Sequence, residues 1–194
     1  MDIHFLNDGN AYHPEAETVA YLEEMAKSHG IRYALNTYVD RNYWTDSIRG
    51  VFEGCSVENM TDYNYSRCFD YWINFISEDF PMTSLKMREY LAEKGELYGL
   101  VLKISILGGY LFVRFYQCQL HEGVFVQTYK PHPFLPEHER YAISIGQLCE
   151  SGQLKMLPEE VLRHILLGVR LELTEEGVSI FNYLFEDSSS PFPY

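Results

Sequence analysis

Hydrophobic positions recur every second residue between Leu97 and Lys130, and every third or fourth residue over most of the rest of the chain. The alternation predicts three consecutive antiparallel strands, Leu97–Leu107, Tyr110–Gln119 and Gly123–Lys130, turned at Gly108-Gly109 and at His121-Glu122-Gly123. The middle strand is almost wholly apolar and aromatic, as a strand covered on both faces must be. Ahead of it, Val19, Leu22, Met25 and Ala26 form an apolar stripe that predicts a helix over Pro14–Ser28. Pro14 suits its first position, Glu15 and Glu17 complement its N-terminal dipole, and Gly30 supplies the stop. Ile31, Tyr33 and Leu35 then alternate with Arg32 and Asn36, which reads as a strand.

Phe69, Trp72, Ile73, Ile76 and Phe80 recur at spacings of three and four, predicting a helix over Tyr65–Glu78. A further helix is expected over Ser84–Lys94, with Leu85, Tyr90 and Leu91 inward and Gly95 beyond its end. After a proline-rich loop, Lys130–Glu139, the segment Tyr141–Leu148 reads as a strand and Leu157–Leu167 as a helix closed by Gly168. The last elements read as a hairpin, Val169–Leu173 and Val178–Phe185, turned at Thr174-Glu175-Glu176-Gly177. Helices followed by a meander imply an α+β fold: an antiparallel sheet of about five to seven strands with helices mostly on one face. One domain is expected over residues 1–187, with 188–194 a flexible tail whose serines and prolines sustain neither helix nor central strand.

Composition adds direction. A chain of 194 residues that is 46% hydrophobic has enough core material to fold without disulfide or metal. Its formal net charge is −13, and the excess is uneven, with 17 acids against 8 bases in residues 1–97. Such a charge repels phosphate backbones and anionic lipid, so neither nucleic acid nor membrane is expected as a partner, and a basic protein is. Solubility of an aromatic-rich chain is the plainer reason for the same acidity. Cys55, Cys68, Cys118 and Cys149 are widely spaced with no CxxC pair, which suggests free thiols in a reducing compartment. Met1-Asp2-Ile3-His4-Phe5 has no basic region and no long apolar run, so no secretion signal is read there. The longest apolar stretch, Ile104–Val113, is half the length of about 20 residues that a bilayer span requires. A cytoplasmic location is therefore expected.

The common signatures of nucleophilic, phosphate-binding, dinucleotide-binding, zinc and calcium sites are missing, so no cofactor is expected and the balance leans from catalysis toward binding. His132 and His138, with Glu137 and Glu139, form the densest titratable loop and could supply metal ligands, but their spacing fits no standard zinc pattern. Glu160 and His164, four apart on the expected last helix, would share a face as an ordinary ion pair. Cys118 and His121 close the middle strand, where a buried structural thiol is the simpler reading.

The segment Phe52–Asp79 carries the leading candidate site. Glu53, Glu58, Asp62, Asp70, Glu78 and Asp79 face a single Arg67, and Tyr63, Tyr65 and Tyr71 fall partly off the expected helical stripe. Tyrosine beside carboxylate gives rigid contact area together with an electrostatic choice of partner. Glu172, Glu175, Glu176, Glu186 and Asp187, in the last hairpin with Arg170 as one nearby base, repeat the theme more weakly and would extend the same negative face if the two segments met. In general profile the chain resembles bacterial immunity proteins that neutralise cationic nuclease toxins, being small, acidic, aromatic, α+β and free of motifs; no family motif carries the likeness. That profile implies an acidic module whose carboxylates cover the lysines and arginines of a toxin. The alternatives are a small-ligand binder or metal-dependent enzyme using the His132/His138 loop, and a structural or adaptor subunit whose aromatic residues form an interface.

Overall fold

The structure is a computed structural model that describes residues 15–28, 42–62, 66–77 and 84–188. In chain order the elements are α1 (Glu15–Ser28), α2 (Tyr43–Val51), β1 (Ser56–Asn59), β2 (Cys68–Asn74), α3 (Leu85–Lys94), β3 (Glu96–Ser105), β4 (Tyr110–His121), β5 (Val124–Lys130), a 3-10 turn (Pro136–His138), α4 (Glu139–Gly152), β6 (Lys155–Met156), α5 (Glu159–Leu162) and α6 (Ile180–Leu184). The strands make a six-stranded sheet in the order β1-β2-β3-β4-β5, each neighbouring pair antiparallel, with β6 added parallel to the start of β4. This is an α+β fold with a mostly antiparallel sheet, as the hydrophobic pattern predicts.

Side chains alternate across a strand, so the register defines two faces. Phe69, Tyr71 and Ile73 of β2 share the first face with Leu100, Leu102 and Ile104 of β3 and Leu111, Val113 and Phe115 of β4. Trp44 and Ile48 of α2 and Tyr141, Ile145 and Leu148 of α4 close that face into one core. The second face carries Cys68, Asp70 and Trp72, then Val101 and Lys103, then Phe112, Arg114 and Tyr116. There α3 covers one end with Met87 and Leu91, while α1, α5 and α6 cover the other around Phe112 and Cys68. Helices thus lie on both faces rather than mostly on one, because β2, β3 and β4 present apolar side chains on each side and both must leave water.

The meander forms as expected. Its second turn places Glu122 and Gly123 at φ 50° and 79°, the left-handed pair of a two-residue hairpin loop. Gly99, inside β3, allows a close approach: a Cβ there would lie 2.4 Å from the Ile73 carbonyl oxygen and 2.6 Å from the Tyr116 ring. The expected helices over Pro14–Ser28 and Ser84–Lys94 correspond to α1 and α3, the latter capped by Ser84, whose hydroxyl accepts from the Met87 amide at 3.2 Å; in α3 Met87 and Leu91 are buried, whereas Leu85, expected inward, is exposed.

Four elements differ from expectation. Residues 68–74 are strand β2 and not helix, because both its faces are buried and the resulting near-continuous apolar run mimics helical spacing. Residues 139–152 are helix α4 and not strand: Tyr141, Ile145 and Leu148 point inward while Ile143, which alternation would bury, is 66% exposed. The helix after Pro158 stops at Leu162. The last segment is no hairpin but a looped chain leading into α6, whose start is set by a capping box between Ser179 and Asn182. Helix α2 and strands β1 and β6 were not anticipated. The expected strand at Ile31–Leu35 and the tail beyond Ser188 lie outside the described residues.

Candidate functional site

Between its two helical caps the second face of the sheet stays open. A cleft of about 800 Å³ lies there, floored by Asp70, Trp72, Val101, Lys103, Phe112 and Arg114, with Gln127 and Tyr129 of β5 to one side. Glu172, Leu173, Phe185, Glu186 and Asp187 of the C-terminal segment form its other wall. That wall is tied to the sheet by defined bonds. The Ser105 hydroxyl donates to the Leu184 carbonyl at 2.9 Å, and the Cys68 thiol donates to the Phe185 carbonyl at 3.0 Å. Asp187 Oδ2 accepts from the amides of Glu172 and Leu173 at 2.8 and 3.0 Å, folding the 170s back against the end of α6.

At the centre of the cleft sits Lys103, 6% exposed. It lies directly across the β2–β3 ladder from Asp70, and its Nζ donates to Asp70 Oδ2 at 2.5 Å. Glu186 Oε2 lies 3.4 Å from the same ammonium. Burial pulls the ammonium down, but Asp70 and Glu186 outweigh it and hold Lys103 above its ordinary value of 10.5. Burial also pushes the Asp70 carboxyl above its usual 3.8, with Lys103 opposing. Arg114 closes a neighbouring pair, donating to Glu159 Oε2 at 2.8 Å with its guanidinium over the Phe112 ring. Burial lowers the Arg67 guanidinium, and Asp187 is the largest influence drawing it back up.

The acidic segments are therefore brought together, through some of the carboxylates the sequence singled out and not through others. Asp70, from the first segment, and Glu186, from the last, meet at Lys103, while Asp187 answers Arg67 on the same cleft. Glu53 and Asp62 are exposed, and Glu58 is half-buried on β1, directly across the ladder from Trp72. Glu175 and Glu176 are exposed in the loop that precedes α6. Tyr71 lies on the first face at 0% exposure, its hydroxyl 3.1 Å from Thr45 Oγ1, so it offers no surface to a partner. Tyr63, Tyr65, Glu78 and Asp79 lie outside the described residues. Lys103 and Arg114 had no place in the expected site. The signal for Lys103 was present as one cation inside an otherwise apolar strand.

The other sequence candidates separate. His138 packs among Phe75, Tyr98 and Tyr141, with ring centroids 4.8, 5.0 and 6.0 Å away, and desolvation lowers it below its ordinary 6.5. His132 is exposed in the loop before it. Among the described residues no group of three or more His, Cys, Asp or Glu is arranged to hold a metal ion. His164 contacts Glu23 of α1 at 3.2 Å and does not sit four along a helix from Glu160, because α5 ends at Leu162. Cys118 is sealed in β4, its thiol pushed up to about 11 by desolvation, while His121 is exposed at the strand's end. No helix among the described residues is long and apolar enough to cross a membrane. No protein-family model, curated protein or solved structure matches this chain.

Proposed function

We propose that the protein is an acidic binding module that captures a basic protein, acting as an immunity-type inhibitor in the cytoplasm by covering the cationic surface of a toxin such as a nuclease. One observation carries this reading. Two acidic stretches more than a hundred residues apart converge on a single cleft, where Asp70, Glu172, Glu186 and Asp187 gather around it. With a net charge of −13 on the whole chain, that convergence gives the long-range field a local focus. Carboxylates at the rim steer a cationic partner in, and the aromatic floor supplies contact area once it docks.

The test is kinetic. The association rate with a basic protein retained from the source cell is measured from about 50 to 500 mM salt, where screening lengths shorten from beyond a protein contact to a few ångströms. The rate falls by about tenfold or more across that range if steering operates. Glu175→Lys/Glu176→Lys lowers the low-salt rate and flattens the salt dependence. A rate indifferent to both salt and charge reversal refutes the electrostatic mechanism.

A second reading rests on the same cleft. About 800 Å³ walled by aromatic and charged groups is the size of a small-molecule site. It does not involve the His132/His138 loop, since neither imidazole lines the cleft. Ligand-dependent thermal stabilisation without any protein partner would favour it.

A further inference from the structure

We infer that the cleft is an anchor pocket for one basic side chain, an arginine or lysine of the protein partner, whose cationic head meets Asp187 and Glu172 while its stem lies along Trp72 and Leu173. This deepens the binding-module reading and rests on it. The walls have the division that such a side chain requires. An aliphatic stem with a charged head buries the first against apolar surface and presents the second to acceptors. Here Trp72, Val101, Phe185 and Leu173 supply the apolar surface, and the carboxylates cluster toward the C-terminal wall.

The charges are already allotted in a way that leaves acceptors over. Lys103 is held by Asp70 and Glu186, and Arg114 by Glu159. Arg67 is the remaining cation on the lining, against the carboxylates of Glu172 and Asp187. Asp70 Oδ1 and Asp187 Oδ1 receive no hydrogen bond. A buried carboxylate oxygen without a donor is costly, and a guanidinium fork brings paired donors of the right sign. Both oxygens are closed to solvent, so a small rotation of each carboxylate accompanies contact. The pocket also contains its own precedent. Lys103, buried on this face, is met by carboxylates from two segments, Asp70 at 2.5 Å and Glu186 at 3.4 Å.

The experiment titrates the intact chain with N-acetyl-arginine amide and its neutral near-isostere N-acetyl-citrulline amide. Binding is followed by the Trp72 indole N–H signal, with buried Trp44 on the opposite face of the sheet as an internal control. The arginine compound shifts Trp72 saturably and binds about tenfold or more tightly than the citrulline compound, while Trp44 stays still. Octa-arginine, which also reaches Glu175 and Glu176, binds more tightly than the single amide. Asp187→Asn keeps a carbonyl oxygen for the Glu172 and Leu173 amides but removes the charge, and it abolishes the preference for arginine. Glu172→Gln, at the exposed rim, weakens the preference without touching that turn. Equal binding of the two amides, or no shift at Trp72, overturns the pocket. If salt-dependent capture of the basic protein survives such a result, the binding-module reading stands without it. Equal affinity for the amide and for octa-arginine would instead mark a site for a free organic cation and overturn the partner assignment.

Discussion

Replacing Lys103 by Met tests the electrostatic centre of the second face. Methionine keeps most of the lysine stem, so the apolar packing beside Val101 and Phe112 is largely retained and the change isolates the charge. Lys103 is buried, and its ammonium answers two carboxylates, Asp70 at 2.5 Å and Glu186 at 3.4 Å. Removing one partner of a buried pair leaves the other uncompensated and costs about 3–5 kcal/mol at neutral pH. That is a large fraction of the about 5–15 kcal/mol by which such a domain is stable. The cost depends on pH. Without the ammonium, burial acts on Asp70 unopposed and raises it further above its ordinary 3.8. Between 3.8 and the raised value the native variant then holds a proton that the unfolded chain has released. The native state binds more protons there, so the variant's stability falls as pH rises through that window. Urea unfolding followed by far-UV circular dichroism at pH 7 and about pH 5 reads this directly. The deficit is largest at pH 7 and shrinks on acidification, and Lys103→Met/Asp70→Asn recovers roughly half of it. A loss below about 1 kcal/mol at pH 7, the scale of an exposed ion pair, would refute the reasoning, as would a deficit indifferent to pH.

Three other outcomes concern the packing of the core. Gly99→Ala forces a methyl against the Ile73 carbonyl in the middle of the sheet and destabilises by about 3 kcal/mol or more, measured by thermal unfolding. His138, whose imidazole is favoured neutral in its aromatic surroundings, makes the fold lose stability as pH drops below its ordinary 6.5, levelling off under the lowered native value. Subtracting the pH profile of Tm for His138→Phe from that of the parent isolates this slope, and identical profiles would refute it. Cys68 and Cys118, both sealed, resist iodoacetamide in the native chain at about pH 8, whereas the half-buried Cys55 reacts first; mass spectrometry of the labelled peptides decides.

How much of this was legible depends on whether turn residues bound a segment as well as on which of its faces are dry. The meander was legible, although β3 and β4 are buried on both faces, because Gly108-Gly109 and Glu122-Gly123 mark its turns. β2 has no wet face over most of its length, so Phe69, Trp72 and Ile73 match a helical stripe as well as they match a strand. The reverse failure befell α4: Tyr141, Ile143 and Ile145 alternate in sequence, but Leu148 completes a spacing of four and three that packs on α2. Trp44, Ile48 and Val51 of α2 carried a readable helical spacing that the tyrosines and carboxylates around them obscured. The capping box at Ser179 and Asn182 was a local signal for a helix start in a segment whose alternation suggested a strand.

The site was less legible than the fold, for a reason that Lys103 makes plain. A lysine between Leu102 and Ile104, in a strand buried on both sides, is a charge with nowhere to go unless an opposite charge waits across the ladder. That argument requires the strand pairing, and the pairing was hidden while residues 68–74 were read as helix. Once β2 is a strand, the register Asp70↔Lys103 turns an acidic residue assigned to an exposed surface into the internal partner of a buried cation. The same register moves Tyr71 to the opposite face and into the core. One secondary-structure assignment thus decides that Asp70 is consumed by the fold, while Glu172 lines the cleft from a separate segment of the chain. An acidic composition indicates that a cationic partner is favoured; only the pairing of strands separates the charges that hold the protein together from those left to hold something else.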